Sequence, residues 1–325
     1  MTYPYLIAEA GVAHFGSIRS AMSLLEASIA ANADCFKIQV FHPDSLFAND
    51  ASGWCSRLKS RTLSYTEIRE IHDKCLAHGI DFLLTLHDSS HFDLYESLHL
   101  KTIKLGSGEA GNIPFITDCL TRCEHLIFST GLSTVADIQA VYDLAIAKGV
   151  RLTLLHCNTA YPTPPSDVNL SRITSLSSLF PMASIGYSDH TPNHDACIGA
   201  VFLGASMIER HITLEKDIPD AQDWKVSSLP HELIELRSRL NSASLLRGNT
   251  EIAISPSASQ NRYWALKSPY INTIGSQGQL LSSTMLTMKR PYNGTTYLDI
   301  QPFIGNKPLA VNLQPNDPIT ISSFM

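Results

Sequence analysis

The sequence predicts an α/β chain whose parallel strands close into a (β/α)8 barrel, followed by a small, mostly β domain. Three observations lead there. Short apolar runs rich in β-formers alternate with longer amphipathic stretches, and eight such pairs can be counted. The short runs are almost continuously apolar, as expected of a parallel sheet buried on both faces. After residue 254 the alternation stops, and Pro, Gly and Asn punctuate short β-type runs with no long helix, as in "SPYINTIGSQGQ" and "LAVNLQPNDPITI".

The expected strands cover residues 6–12, 35–41, 81–87, 102–107, 125–131, 152–158, 183–189 and 207–214. Helical periodicity covers 18–32, 65–78, 89–98, 113–122, 135–148, 168–180 and 194–203, with 231–246 after the eighth strand. Ser133 or Thr134 supplies an N-cap and Pro114 a first-turn proline. Gly79 and Gly149 sit just past helix ends. Eight units close a barrel, and roughly 250 residues is its usual size. The competing doubly wound sheet is weakened because no Gly-x-Gly-x-x-Gly follows the first strand. The expected division is a barrel over 1–254, a small polar linker over 255–261 ("SPSASQN") and the small domain over 262–325. A domain below about 70 residues builds little core of its own, so it is expected to pack on something else.

Composition excludes several classes. With 44% hydrophobic and 17% charged residues, the 325-residue chain has material for a sizeable core. A net charge of −6 and the lack of a Lys/Arg block argue against a nucleic-acid partner. No apolar stretch approaches the roughly 18 residues of a membrane span. The N-terminus shows no basic n-region, so no signal peptide is expected and the cytoplasm is the expected location. The seven cysteines form no C-x-x-C pair. Cys119 and Cys123 are spaced to touch on one helix, but without a second Cys/His pair reduced thiols are the better reading than zinc.

Polar residues gather where a barrel carries its active site, at the C-terminal strand ends. The first strand gives Glu9, with His14 in the next loop. The second gives Lys37 and Gln39 on one face, and the third Thr85 and His87. The fourth gives Lys104, Ser107 and Glu109, the fifth Ser129 and Thr130, and the sixth His156, Asn158 and Tyr161. The seventh ends Ser188-Asp189-His190, and the eighth contains Glu209 and His211. Lys37 and Lys104, with Ser107, Ser129, Ser188 and the backbone near Gly106–Gly108, suit a phosphate or carboxylate. His190 and His211 are spaced to meet from adjacent strands and suit manganese, iron or zinc. Water or substrate would fill the remaining positions. Glu9 and Glu109 are acid/base candidates. The bland alternatives stay open residue by residue: the histidines hydrogen-bonding across strands, or Glu9 and Glu109 pairing with Lys37 and Lys104.

The runs "LIAEAGVAHFGS", "CFKIQVF", "IKLGSGEAGNIPFI", "FSTGLSTVADI", "LLHCNTAYPTPPSDVNL", "IGYSDHT" and "IERHITLEKD" resemble, in order, the motifs of the bacterial sialic acid synthase family, pseudaminic and legionaminic acid synthases included. The tail resembles that family's antifreeze-like (SAF) domain, notably in "LLSSTMLTMKRPYNG". The resemblance implies a transferase that condenses phosphoenolpyruvate with an N-acylated amino sugar, giving a nonulosonic acid and phosphate. The sugar would be N-acetylmannosamine or a 6-deoxy-diacetamido relative. It implies a divalent metal, Mn2+ or Mg2+, on His190 and His211. Lys37, Thr85, Lys104, Ser107, Ser129, Asn158 and Ser188 would bind phosphoenolpyruvate, Glu9 and Glu109 would be acid/base candidates, and Gln39 and Tyr161 would lie near the sugar. It further implies a domain-swapped homodimer in which Arg290 reaches the partner's sugar.

Three segments depart from the family pattern. "AHFG" stands where the family has NHNG, which places Ala13 and Phe15 near the mouth. "TLHD" brings in His87, and "IPDAQDWKVSSLP" brings in Trp224 and Lys225, with Asp220 or Asp223 in place of the family's aspartate. These lie on the sugar side and leave the sugar's identity open. Two other functions compete: a 2-keto-3-deoxy acid synthase for a phosphorylated sugar such as arabinose 5-phosphate, and a non-catalytic barrel that serves as a binding protein. The tail argues against the first; Lys37, Glu109, His190 and His211 argue against the second.

Overall fold

The structure, a computed structural model, describes residues 3–48, 52–219, 221 and 223–325. The chain divides into two compact units, Met1–Gly248 and Asn249–Met325.

In the first unit eight strands close a barrel. They are β1 (Tyr5–Gly11), β2 (Cys35–Val40), β3 (Asp81–Leu86), β4 (Thr102–Leu105), β5 (His125–Ser129), β6 (Arg151–His156), β7 (Ser184–Asp189) and β8 (Met207–His211). Each pairs in parallel with the next, and β8 returns to β1. The helices are α1 (Ile18–Ala30), α2 (Pro43–Leu46), α3 (Ser52–Lys59), α4 (Tyr65–His78), α5 (Phe92–Ser97), α6 (Ile113–Leu120), α7 (Val135–Lys148), α8 (Pro165–Val168), α9 (Arg172–Leu179), α10 (Asp195–Phe202) and α11 (Pro230–Arg247).

The local signals explain the helix ends. Thr134 caps α7 in a reciprocal box with Asp137, and Ser64 does the same for α4 with Glu67. Both helices end on a left-handed glycine, Gly79 at φ 67° and Gly149 at φ 68°. Elsewhere the structure corrects the reading. The expected helix over 168–180 is broken, because Asn169 turns left-handed at φ 47° between α8 and α9. The one over 89–98 begins as a 3-10 turn capped by Asp88. β4 stops early because Ser107–Glu109 wind into a 3-10 turn. β8 stops at His211, after which Ile212 leaves the ladder to bridge Ser228.

Two apolar layers hold the barrel. Outward-facing strand residues such as Leu6, Phe36, Leu84 and Phe128 pack under the helices, where Leu24, Leu25, Ile71 and Leu236 meet them. Inside, Ile7, Cys35, Leu83, Ile127, Leu155 and Met207 form a buried plug. The mouth polar groups follow this plug along the strands, so it serves as their floor. The strands come close at Gly186, where an added Cβ would lie 2.5 Å from Leu155 Cδ2 and 2.6 Å from the Met207 carbonyl oxygen. Gly186→Ala is therefore expected to destabilise the unit by about 2 kcal/mol through overpacking. A urea midpoint equal to wild type would contradict this close approach.

All seven cysteines are free, and Cys119 and Cys123 are buried without a disulfide. No helix among the described residues is long and apolar enough to cross a membrane. The second unit contains α12 (Pro256–Ser259), α13 (Arg262–Ala265), an antiparallel pair β9 (Ser268–Ile271) and β10 (Leu286–Lys289), and α14 (Tyr297–Ile300). Isolated bridges such as Leu309–Phe324 extend its β character. Ile271, Leu281, Ile300, Leu309, Leu313, Ile319 and Phe324 give it a small core. Part of the stretch read as a linker is helical: Ser255 Oγ accepts from the Ala258 N–H and caps α12.

Candidate active site

Strand alternation sorts the polar residues into two sets. Ser188 pairs in register with Glu209, and Asp189 with Arg210. Ser188, Glu209 and His211 face the interior, while Asp189 and Arg210 point outward. Asp189 is fully buried there. It accepts from Arg210 Nη1 at 2.5 Å, from the Tyr187 hydroxyl at 3.0 Å and from the Thr191 N–H at 2.9 Å. Arg210 also donates to the Thr191 carbonyl. This pair braces the loop that presents His190.

The interior set lines a cavity of about 220 Å³ at the C-terminal end of the barrel. Lys37 Nζ lies 2.9 Å from Glu9 Oε2 and 3.3 Å from Glu209 Oε2, and donates to Thr85 Oγ1 at 2.8 Å. Lys104 Nζ donates to Ser129 Oγ at 2.8 Å and lies 3.7 Å from Glu209 Oε1. Ser188 Oγ donates to that same oxygen at 2.8 Å. Gln39 Nε2 donates to Glu9 Oε1 at 3.0 Å. All of these ions are nearly inaccessible, so their charge states depend on one another. Burial alone would lower Lys37, but Glu209 and Glu9 outweigh it and raise it above the usual lysine value. Burial also dominates at Lys104 and, with the Lys37 charge, lowers it despite Glu209. Glu209 is pushed upward by burial, yet the two lysines and Ser188 hold its carboxyl well below the ordinary range.

On the β7–β8 wall, His190 and His211 face one another with ring centroids 5.4 Å apart. His190 Nδ1 lies 2.5 Å from the Asn158 carbonyl oxygen, which makes that nitrogen the protonated one. Its Nε2 lone pair accepts from the Tyr161 hydroxyl at 3.0 Å. Burial, reinforced by His211, depresses His190 to about 4, so the ring is neutral at pH 7. Among the described residues none hydrogen-bonds the ring nitrogens of His211. This donor set fits a cation: a neutral imidazole with its tautomer fixed from behind, beside a second imidazole with uncommitted nitrogens. Among the described residues no group of three His, Cys, Asp or Glu side chains forms a fuller cage.

The structure brings most of the expected residues together: Glu9, Lys37, Gln39, Thr85, Lys104, Ser107, Ser129, Tyr161, Ser188, His190 and His211 all line the cavity, with Gly106 and Gly108. Three others are placed differently. The Asn158 side chain serves its own loop, accepting from the Ala160 N–H, and it is the backbone carbonyl that meets His190. Glu109 is buried beside the cavity rather than on it, taking Asn112 Nδ2 at 2.7 Å and lying 3.9 Å from His87 Nδ1. Arg290 is exposed in the second unit and donates from Nε to the Ala265 carbonyl. Glu209, expected at the mouth from the eighth strand, lines the cavity as the partner of both lysines, and Cys157 and Thr159 line it without having been foreseen. Strand alternation two residues before His211 was the signal for Glu209. His14 turns into its own loop, accepting from the Gly16 N–H.

Ala13, Phe15 and Trp224 meet in a separate small crevice with Arg61, Ile218 and Asp223. Arg61 lies 4.9 Å above the Phe15 ring, and Lys225 lies 5.8 Å from the Trp224 ring. Asp220 falls outside the described residues.

A family model described as the NeuB family matches residues 24–252. This chain belongs to the NeuB family. N,N'-diacetyllegionaminic acid synthase of Campylobacter jejuni is 31% identical over 92% of this chain and 94% of its own. The enzyme of the same name from Legionella pneumophila is 30% identical over 95% and 91%. Among solved structures, N-acetylneuraminic acid synthetase of Leptospira borgpetersenii, in complex with citrate, matches with a TM-score of 0.76 and 25% identity, covering 80% of this chain and 90% of that one. As a NeuB-family member similar to named acid synthases over nearly its whole length, the chain is an enzyme that forms a carbon–carbon bond.

Proposed function

We propose that this NeuB-family enzyme condenses phosphoenolpyruvate with the open-chain form of an N-acylated amino sugar, releasing phosphate and a nonulosonic acid. The observation that carries this reading is one cavity with two buried lysines on one side and two imidazoles on the other. Lys37 and Lys104 would take the phosphate and carboxylate of phosphoenolpyruvate, and Thr85, Ser107, Ser129 and Ser188 would orient them. Asn158 would contribute through the loop it holds rather than through its side chain. Gln39 and Tyr161 would face the sugar.

Three proton transfers accompany the reaction. C3 of phosphoenolpyruvate bonds to the aldehyde carbon, and the aldehyde oxygen gains a proton. Water adds at C2 and loses one proton; the resulting hydroxyl gives up its second proton as the C2 carbonyl forms, and phosphate takes that proton as its C–O bond breaks. Glu9 pairs in register with both Lys37 and His211, which supports a role for its carboxylate in one of these proton transfers. Glu109 would act from behind His87. His190 and His211 would hold a divalent cation, manganese or magnesium, which when bound polarises the aldehyde oxygen. The second unit would act as an antifreeze-like domain in a cytoplasmic, domain-swapped homodimer, with Arg290 directed to the partner's sugar; the motif resemblance and the exposure of Arg290 support this.

The test is phosphate release from phosphoenolpyruvate across a panel of sugars, with Mn2+, with Mg2+ and with EDTA. Release is expected with N-acetylmannosamine or a 6-deoxy-diacetamido sugar, falling at least about a hundredfold in EDTA. Release with arabinose 5-phosphate alone would overturn the amino-sugar assignment.

A further inference from the structure

We infer that His87 takes up a proton when the phosphorylated substrate binds, so that an imidazolium backed by Glu109 completes the anion pocket on the β3 side of the mouth. This rests on reading the cavity as a phosphoenolpyruvate site.

The argument begins with charge. The cavity's two lysines, Lys37 and Lys104, face two glutamates, Glu9 and Glu209, so these four groups sum to zero when all are ionised. Phosphoenolpyruvate brings a carboxylate and a phosphate of about −2 charge. An unmatched charge in a buried cavity is costly, so binding favours any change that adds positive charge nearby. Histidine is the side chain whose ordinary pKa, about 6.5, allows that near neutrality. His190 and His211 stand on the β7–β8 wall, where they are the pair assigned to a cation. His87 stands on the opposite side, at the end of β3, beside Gly106 and Gly108.

Its setting is arranged for a proton. The His87 side chain is 22% exposed and opens onto the cavity. Its Nδ1 lies 3.9 Å from Glu109 Oε1, while Asn112 fixes the other carboxylate oxygen from the side. Phe41 packs edge-on against the ring at 6.0 Å, leaving it no polar competitor there. The opposing charges are also in place. Lys37 and Lys104 share the cavity and disfavour an imidazolium while it is empty. His91, itself stacked on His42 and near Asp88, adds a further repulsion should it be protonated. A bound trianion reverses the balance set by the lysines, which couples its binding to proton uptake.

Calorimetric titration of the full chain with phosphoenolpyruvate, in EDTA at pH 7.5 and in buffers of different ionisation enthalpy, counts the protons. Wild type is expected to take up at least about half a proton per phosphoenolpyruvate bound. His87→Gln is expected to take up almost none and to bind about tenfold more weakly, the loss of one charge-assisted contact. His87→Phe, which keeps the packing on Phe41, guards against a folding defect and should match it. Glu109→Gln, a change in a positioning residue, should lower uptake and weaken binding by less than His87→Gln does. Wild-type binding without uptake, or undiminished uptake in both His87 variants, overturns the inference and leaves the site standing. Wild type that binds no phosphoenolpyruvate overturns the reading of the site and the inference together.

Discussion

Glu209→Gln is expected to lower thermal stability by about 3–5 kcal/mol at pH 7, or roughly 10 °C in the melting midpoint. The carboxylate lies between Lys37 at 3.3 Å and Lys104 at 3.7 Å, and all three are nearly inaccessible. Neutralising it leaves Lys104 without a carboxylate partner and Lys37 with Glu9 alone. An unpaired buried ammonium loses the hydration it would have in the unfolded chain. The pH dependence has a definite sign. Burial raises the Glu209 pKa, but Lys104 and Lys37 prevail and depress it below the ordinary carboxyl value of 4.5. A depressed folded value contributes stability that is complete above the unfolded value and declines as pH falls toward the folded one. The gap between wild type and variant should therefore be full at pH 7 and narrower at pH 3. Melting curves at the two values decide the matter. A variant that melts with wild type at pH 7 would show that the triad contributes nothing to the fold.

His211→Ala is expected to reduce phosphate release about a thousandfold with little change in the melting midpoint. The ring stands at the end of β8 among other rings, Tyr161 at 6.0 Å and His190 at 5.4 Å, and no described residue depends on it for a hydrogen bond. Its removal thus opens a small polar gap rather than breaking a network. If His190 and His211 hold a cation, the variant should also lose manganese binding, read by electron paramagnetic resonance without any turnover. Retained activity together with retained manganese binding would remove both rings from that role.

Much of this was legible in the chain. Strand starts were accessible because apolar runs begin abruptly after polar turns, as at Asp81 and Arg151. Strand ends were less so, since "KLGSGE" carries no sign that a 3-10 turn begins at Ser107. That turn is also why Glu109 sits behind the cavity wall. Asn158 shows another limit: a motif match cannot tell whether a side chain or its own carbonyl serves the site. Glu209 was legible at the mouth, because period-two alternation through "IERH" puts it on the same face as His211; its role between the two lysines was not. The meeting of Ala13, Phe15 and Trp224 was not, because it joins loops about two hundred residues apart in sequence, brought together by barrel closure between β1 and β8.

The inward and outward sorting on the last two strands limits how this enzyme can change. Adding or deleting a single residue within Ser184–Asp189 or Met207–His211 would exchange the faces, sending a guanidinium into the reaction chamber and an imidazole into the helical shell. Substitutions at these positions can be explored one at a time, but length there is frozen. Innovation by insertion is left to the rim.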